Sequence, residues 1–96
     1  MAALSDETIR EKLAKIVGWT YENKSLHKTF RFPSFLAGIE FVNKVAQAAE
    51  AAGHHPDLTI NYNVVSVTLS THSEGGVTQK DFALAATIDQ TRALVS

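Results

Sequence analysis

The sequence contains no cysteine, which removes disulfides, thiolate nucleophiles and cysteine-ligated zinc from consideration together. It is also short of charge of either sign: nine Lys and Arg against ten Asp and Glu leave a formal net charge of -1. The cations are scattered from Arg10 to Arg92 without a basic run, so direct nucleic-acid binding, which needs a clustered positive face, is not expected. No apolar run approaches membrane-spanning length. The opening MAALSDETIREKL places acids where a signal peptide would carry its apolar stretch. With no internal linker, repeat or low-complexity tract, the expectation is one soluble, cytoplasmic domain over residues 1–96. At 45% hydrophobic and 20% charged residues the chain can build a modest core, and a domain this small is expected to bury more surface as a homodimer or homotetramer.

What is present reads as an alternation of helices and hairpins. Ser5, Asp6 and Glu7 open a stripe of Ile9, Leu13, Ile16 and Val17 at helical spacing that stops at Gly18. In WTYENKSLHKTFRF, Trp19 and Tyr21 alternate with polar residues, Asn23 to Ser25 break the pattern, and Phe30 and Phe32 resume it, which predicts a hairpin. Pro33 and Ser34 precede a longer helical stripe of Phe35, Leu36, Ile39, Val42, Val45, Ala46 and Ala49, with Gly53 as its stop. Thr78 and Asp81 make a capping box ahead of Phe82, Ala85, Ile88 and Val95. The fold class expected is α+β, in the order α-β-β-α-β-β-α, with a four-stranded antiparallel sheet and the helices packed on one face.

Three of the four histidines fall in GHHPDLTINYNVVSVTLSTHSEGG, residues 53–76. A hairpin centred between Asn63 and Val64 pairs Tyr62 with Val65, Ile60 with Val67 and Leu58 with Leu69, all apolar. The alternate pairs, Asn61 with Ser66, Thr59 with Thr68 and Asp57 with Ser70, are all polar. Extending that register sets His55 opposite His72 beside a flexible SEGG loop, so three imidazoles are expected to converge at the open end of the hairpin. His27, by contrast, reads as a solvated strand residue, and Trp19, Phe30 and Phe32 as core. Gly75 and Gly76 read as a turn, because no phosphate-binding fingerprint surrounds them.

The run Glu50, His54, His55, Pro56, then Tyr62 and Asn63, then LSTH ending at His72, and Asp81 after a glycine-containing loop resembles the pterin-4a-carbinolamine dehydratase family over nearly the whole chain. The resemblance implies a hydro-lyase that dehydrates 4a-hydroxytetrahydropterin, the carbinolamine left by aromatic amino-acid hydroxylases, to quinonoid dihydropterin in tetrahydropterin recycling. Pterin is then the substrate, and neither cofactor nor metal is used. It further implies a catalytic set of His54, His55 and His72, with His54 and His72 as acids toward the hydroxyl and His55 as an orienting or base group. Pro56, Thr71, Ser73, Glu74, Glu50 and Asp81 are implied to bind substrate. Leu58 and Lys80 depart from the family's usual aromatic and arginine. Imidazoles suit the reaction, since they exchange protons near neutral pH.

Two other readings compete. The three histidines with Glu50 or Asp57 would suit zinc with an open position for water, although adjacent histidines on an extended chain project in different directions. The alanine-rich AQAAEAA would suit a non-enzymatic dimerisation or adaptor module. Asp81 can serve as a helix cap, as a site residue, or as both.

Overall fold

The computed structural model describes residues 3–95. Helix α1 spans Asp6–Leu13, strand β1 Thr20–Glu22, β2 Ser25–Arg31, α2 Phe35–Ala52, β3 Asp57–Asn61 and β4 Val64–Leu69. A 3₁₀ turn over His72–Glu74 and helix α3 over Gln79–Ala93 follow. The element order and the single antiparallel sheet are those expected, with strands ordered β1-β2-β4-β3.

Alternation along the strands decides which face the helices cover. Leu26 and Phe30 of β2 and Val65, Val67 and Leu69 of β4 are buried with Ile9 of α1, Phe41 and Val45 of α2, and Leu84, Ala85 and Ile88 of α3 in one cluster. Trp19, Phe30 and Phe32 belong to it as expected, and the Phe41 ring packs at a tilt against both Phe30 and Phe32, with centroids 4.9 and 5.0 Å away. The opposite face is polar. There Thr29 meets Ser66 at 3.3 Å, and His27 bonds Thr68 Oγ1 through Nδ1 and the Glu22 carbonyl through Nε2, both at 3.1 Å. His27 is therefore a half-buried, doubly bonded cross-strand residue, not a solvated one.

Several expectations are corrected. The second hairpin is shifted by two positions: Asn61 pairs with Val64, Ile60 with Val65, Leu58 with Val67 and Asp57 with Thr68. Its two-residue turn is Tyr62-Asn63, with positive φ at Tyr62 (51°). Sliding by an even number keeps every side chain on its face, so the apolar and polar pairings could not reveal the error. What holds the turn at Tyr62-Asn63 is Asn63, whose Nδ2 donates to the Phe32 carbonyl at 2.7 Å while its own carbonyl accepts from Phe32 N at 2.9 Å. Helix α1 ends at Leu13 with Ala14 as its cap, so Val17 lies outside it and is exposed; Phe35 and Leu36 at the start of α2 are exposed too. Periodicity finds the helix but not where its first and last turns leave the core.

The caps position the later chemistry. Ser34 accepts from Ala37 N to start α2. At the far end Gly53 adopts φ +64°, Gly53 N donates to the Glu50 carbonyl, and His54 N donates to the Ala49 carbonyl, each at 3.1 Å. These two bonds are a Schellman closure, and they anchor the His54 backbone to the end of the longest helix. A Cβ at position 53 would meet no atom within 4 Å, so Gly53→Ala carries only the left-handed backbone cost. It should lower stability by roughly 1 kcal/mol, read as a fall in Tm of about 4–8 °C by calorimetry.

Candidate active site

The alternation of β4 carries past its last paired residue. Positions 65, 67 and 69 face the core, and Thr71, next on that parity, is buried at 6% exposure. A buried hydroxyl must be bonded, and this one donates to Asp81 Oδ2 at 2.8 Å and sits 2.9 Å from Thr78 Oγ1. Because the single Thr71 proton goes to the carboxylate, the Thr78 hydroxyl is the donor between the two threonines.

Asp81 itself is fully buried. It accepts from Thr78 N at 2.9 Å, completing the capping box of α3, and its Oδ1 lies 2.5 Å from His54 Nε2. One carboxylate thus takes donors from the end of α2, the segment after β4 and the start of α3. The cap and the site readings of Asp81 are both met in one side chain. An ionised carboxylate only accepts, so Nε2 is the donor in this bond and Nδ1 is the ring nitrogen left outside it. The His54 side chain retains 12% exposure and lines a cavity of about 230 Å³ between α2 and α3, together with Ala48, Ala52, Lys80, Ala83 and Leu84.

The other two histidines are held differently. His55 Nε2 bonds Glu50 Oε1 at 2.8 Å on the surface, with both side chains mostly exposed, so water and salt screen that pair. His72 is exposed on the 3₁₀ turn and does not pair with His55, because the hairpin register is two residues away from the one expected. It follows Thr71 directly, however, and Thr71 and His54 share the Asp81 carboxylate, so the His72 backbone adjoins the same network. The turn carrying it is ordered by Gly75 at φ +74°, by Gly75 N donating to the His72 carbonyl, and by a bridge of Thr71 to Gly76. Ser73 is exposed on that turn, Glu74 and Pro56 are half-buried, and Thr71 and Asp81 face inward.

Among the described residues no three His, Asp or Glu side chains converge as metal ligands. His54 and His55 turn to separate carboxylates, as adjacent positions on an extended chain require. Sequence reasoning named Thr71 as a substrate-binding residue and Thr78 as a cap, and did not foresee that their hydroxyls meet each other and Asp81 in the interior. The signal available was a polar residue, Thr71, on the core parity of β4.

The chain is thus a small α+β domain of three helices and four antiparallel strands, with one histidine braced by a buried carboxylate and two surface histidines close to it in sequence. Residues 2–91 match the family described as Pterin 4 alpha carbinolamine dehydratase, and the chain belongs to that family. Relatives from a Nostoc species and from Chloroflexus aurantiacus, both provisionally named as pterin-4-alpha-carbinolamine dehydratases, are 54% and 53% identical. The matches cover 91% and 94% of this chain and 94% and 97% of theirs. A crystal structure from Brucella melitensis, described as a transcriptional coactivator/pterin dehydratase, superposes with a TM-score of 0.91 at 33% identity, covering 94% of this chain and 98% of that one. A pterin dehydratase-like RuBisCO assembly factor of the alpha-carboxysome shares the fold, with a TM-score of 0.65 at 24% identity over 77% of this chain and 86% of that one.

Thr71→Val removes the hydroxyl from Asp81 and Thr78 at nearly constant volume, and should cost about 1–3 kcal/mol in chemical denaturation. Thr71→Ser, which keeps the hydroxyl, should recover most of that loss.

Proposed function

We propose that this chain is a hydro-lyase that dehydrates a 4a-hydroxytetrahydropterin to the quinonoid dihydropterin by histidine general acid and base catalysis. The bond from C4a to the hydroxyl oxygen breaks, the oxygen leaves as water with a proton from the protein, and the proton on N5 passes to a base as the C4a=N5 double bond forms. One proton is given and one taken, so the protein's proton count is unchanged, and exchange with solvent returns the acid and the base to their starting forms. Imidazoles serve both transfers near neutral pH.

The observation that carries this reading is the bond from Asp81 to His54 Nε2, in a chain belonging to a dehydratase family. A histidine fixed at one nitrogen by a buried carboxylate presents the other in a set direction. Such a carboxylate also stabilises the imidazolium that forms when the ring takes a proton. In this reading His54 and His72 deliver the proton to the hydroxyl, and His55, held by Glu50, orients the ring or accepts the N5 proton. Pro56, Ser73 and Glu74 border the bound pterin, while Asp81 and Thr71, being buried, act through His54. Pterin enters as substrate, and the reaction as written uses no cofactor or metal.

The test is ultraviolet absorbance of 4a-hydroxytetrahydropterin dehydration in excess EDTA. His54→Ala and His72→Ala should each lose on the order of 10² to 10³ in rate; the His72 variant should keep the wild-type melting transition, while the His54 variant, which takes one donor from buried Asp81, should still melt cooperatively but at a lower temperature. Full activity in the double variant would overturn histidine catalysis. Activity abolished by the chelator in the wild type would overturn the metal-free reaction.

A further inference from the structure

The fold gathers charge that the sequence spreads out. An open groove of about 590 Å³ lies where the segment joining α1 to β1 meets β2 and α3, and Lys15, Lys28, Arg31 and Arg92 line it with one carboxylate, Asp89. Four of the chain's nine cationic residues thus meet one of its ten acids. That acid is already engaged, accepting from Lys28 Nζ at 2.7 Å and from Trp19 Nε1 at 3.0 Å. Among the described residues the Arg92 guanidinium donates only to the main-chain carbonyls of Val95 and Arg31, at 2.8 and 2.9 Å, and pairs with no carboxylate. Neither Lys15 nor Arg31 has an ion-pair partner among the described residues. Positive charge is concentrated here, while the rest of a chain whose net charge is -1 is correspondingly acidic. Such an asymmetry steers an anionic partner to this end of the molecule.

Two further features define the kind of anion. Exposed Val17 and half-buried Ile16 add apolar surface beside the cations. Strand β1 pairs only with Ser25, Leu26 and His27, and β1 is the last strand on that side of the sheet. The stretch of β2 from Lys28 to Arg31 therefore has no strand beside it there. An open groove next to an unpaired strand edge suits an extended chain, whose backbone can add to the sheet while alternate side chains point at the cations. A compact small molecule would find an enclosed pocket instead. We propose that this groove docks an extended acidic segment of a partner protein, with carboxylates against Lys15, Arg31 and Arg92 and an apolar side chain against Val17. The groove shares no lining residue with the cavity at His54, so the interaction is independent of the dehydratase reading.

The probe is a capped peptide of alternating glutamate and leucine, titrated into ¹⁵N-labelled full-length protein, with the glutamine-for-glutamate peptide as control. The acidic peptide should shift the amides of residues 16–18, 28–31 and 86–92, and Lys15→Glu combined with Arg31→Glu should weaken it roughly tenfold or more without changing Tm or dehydration rate. Absence of shifts at millimolar peptide, unchanged affinity in the charge-reversed variant, or equal binding of the glutamine peptide would overturn the proposal. Displacement of the peptide by short duplex DNA or inorganic pyrophosphate at equal concentration would also overturn it, in favour of an unselective anion site.

Discussion

The structure turns on one carboxylate that water does not reach. Burying Asp81 is tolerable only because donors surround it, and those donors come from three separate parts of the chain: His54 Nε2, Thr71 Oγ1 and Thr78 N. Each is delivered by a local device that would have little consequence alone. The Schellman closure at Gly53 anchors His54, the inward parity of β4 aims Thr71, and the capping box of α3 presents Thr78. Joined at one group, they lock the end of α2, the segment after β4 and the start of α3 to each other. This is also the corner where the candidate chemistry sits.

Stability and proposed function are therefore coupled unevenly across the histidines. His54 is tied to a group that the fold cannot lose cheaply, whereas His55 and His72 stand on the surface, with the Glu50 contact of His55 open to solvent. The braced histidine has a defined ring orientation and a defined free nitrogen, and the exposed pair can adapt to a substrate. The opposite end of the molecule carries the contrasting arrangement. There Asp89 is one acid among four cations, Lys28 and Trp19 saturate it, and the remaining positive charge faces solvent beside an unfinished sheet edge.

Much of this was legible in the residues. Helical spacing located all three helices, and alternation located both hairpins and the buried face, because these patterns depend only on local geometry. The Thr78 and Asp81 cap is likewise a short-range feature. The hairpin register was misread by two residues because an even slip preserves both faces, and the contact that settles it, Asn63 with Phe32, spans 31 positions. His72 was accordingly expected opposite His55, a relation the true register removes. Val17, Phe35 and Leu36 were counted with the core on periodicity, which cannot report where a neighbouring element stops.

The sequence by itself determined the element order, the two-faced sheet, the caps and the family to which the chain belongs, since each is written in spacing and residue type within a few turns of chain. Only the tertiary structure decided that Asp81 meets His54 and not solvent, that Thr71 faces inward as a donor, and that Lys15, Lys28, Arg31 and Arg92 share one groove. Those relations join residues far apart in the chain, and they form only when packing of the apolar face has fixed how the helices lie on the sheet.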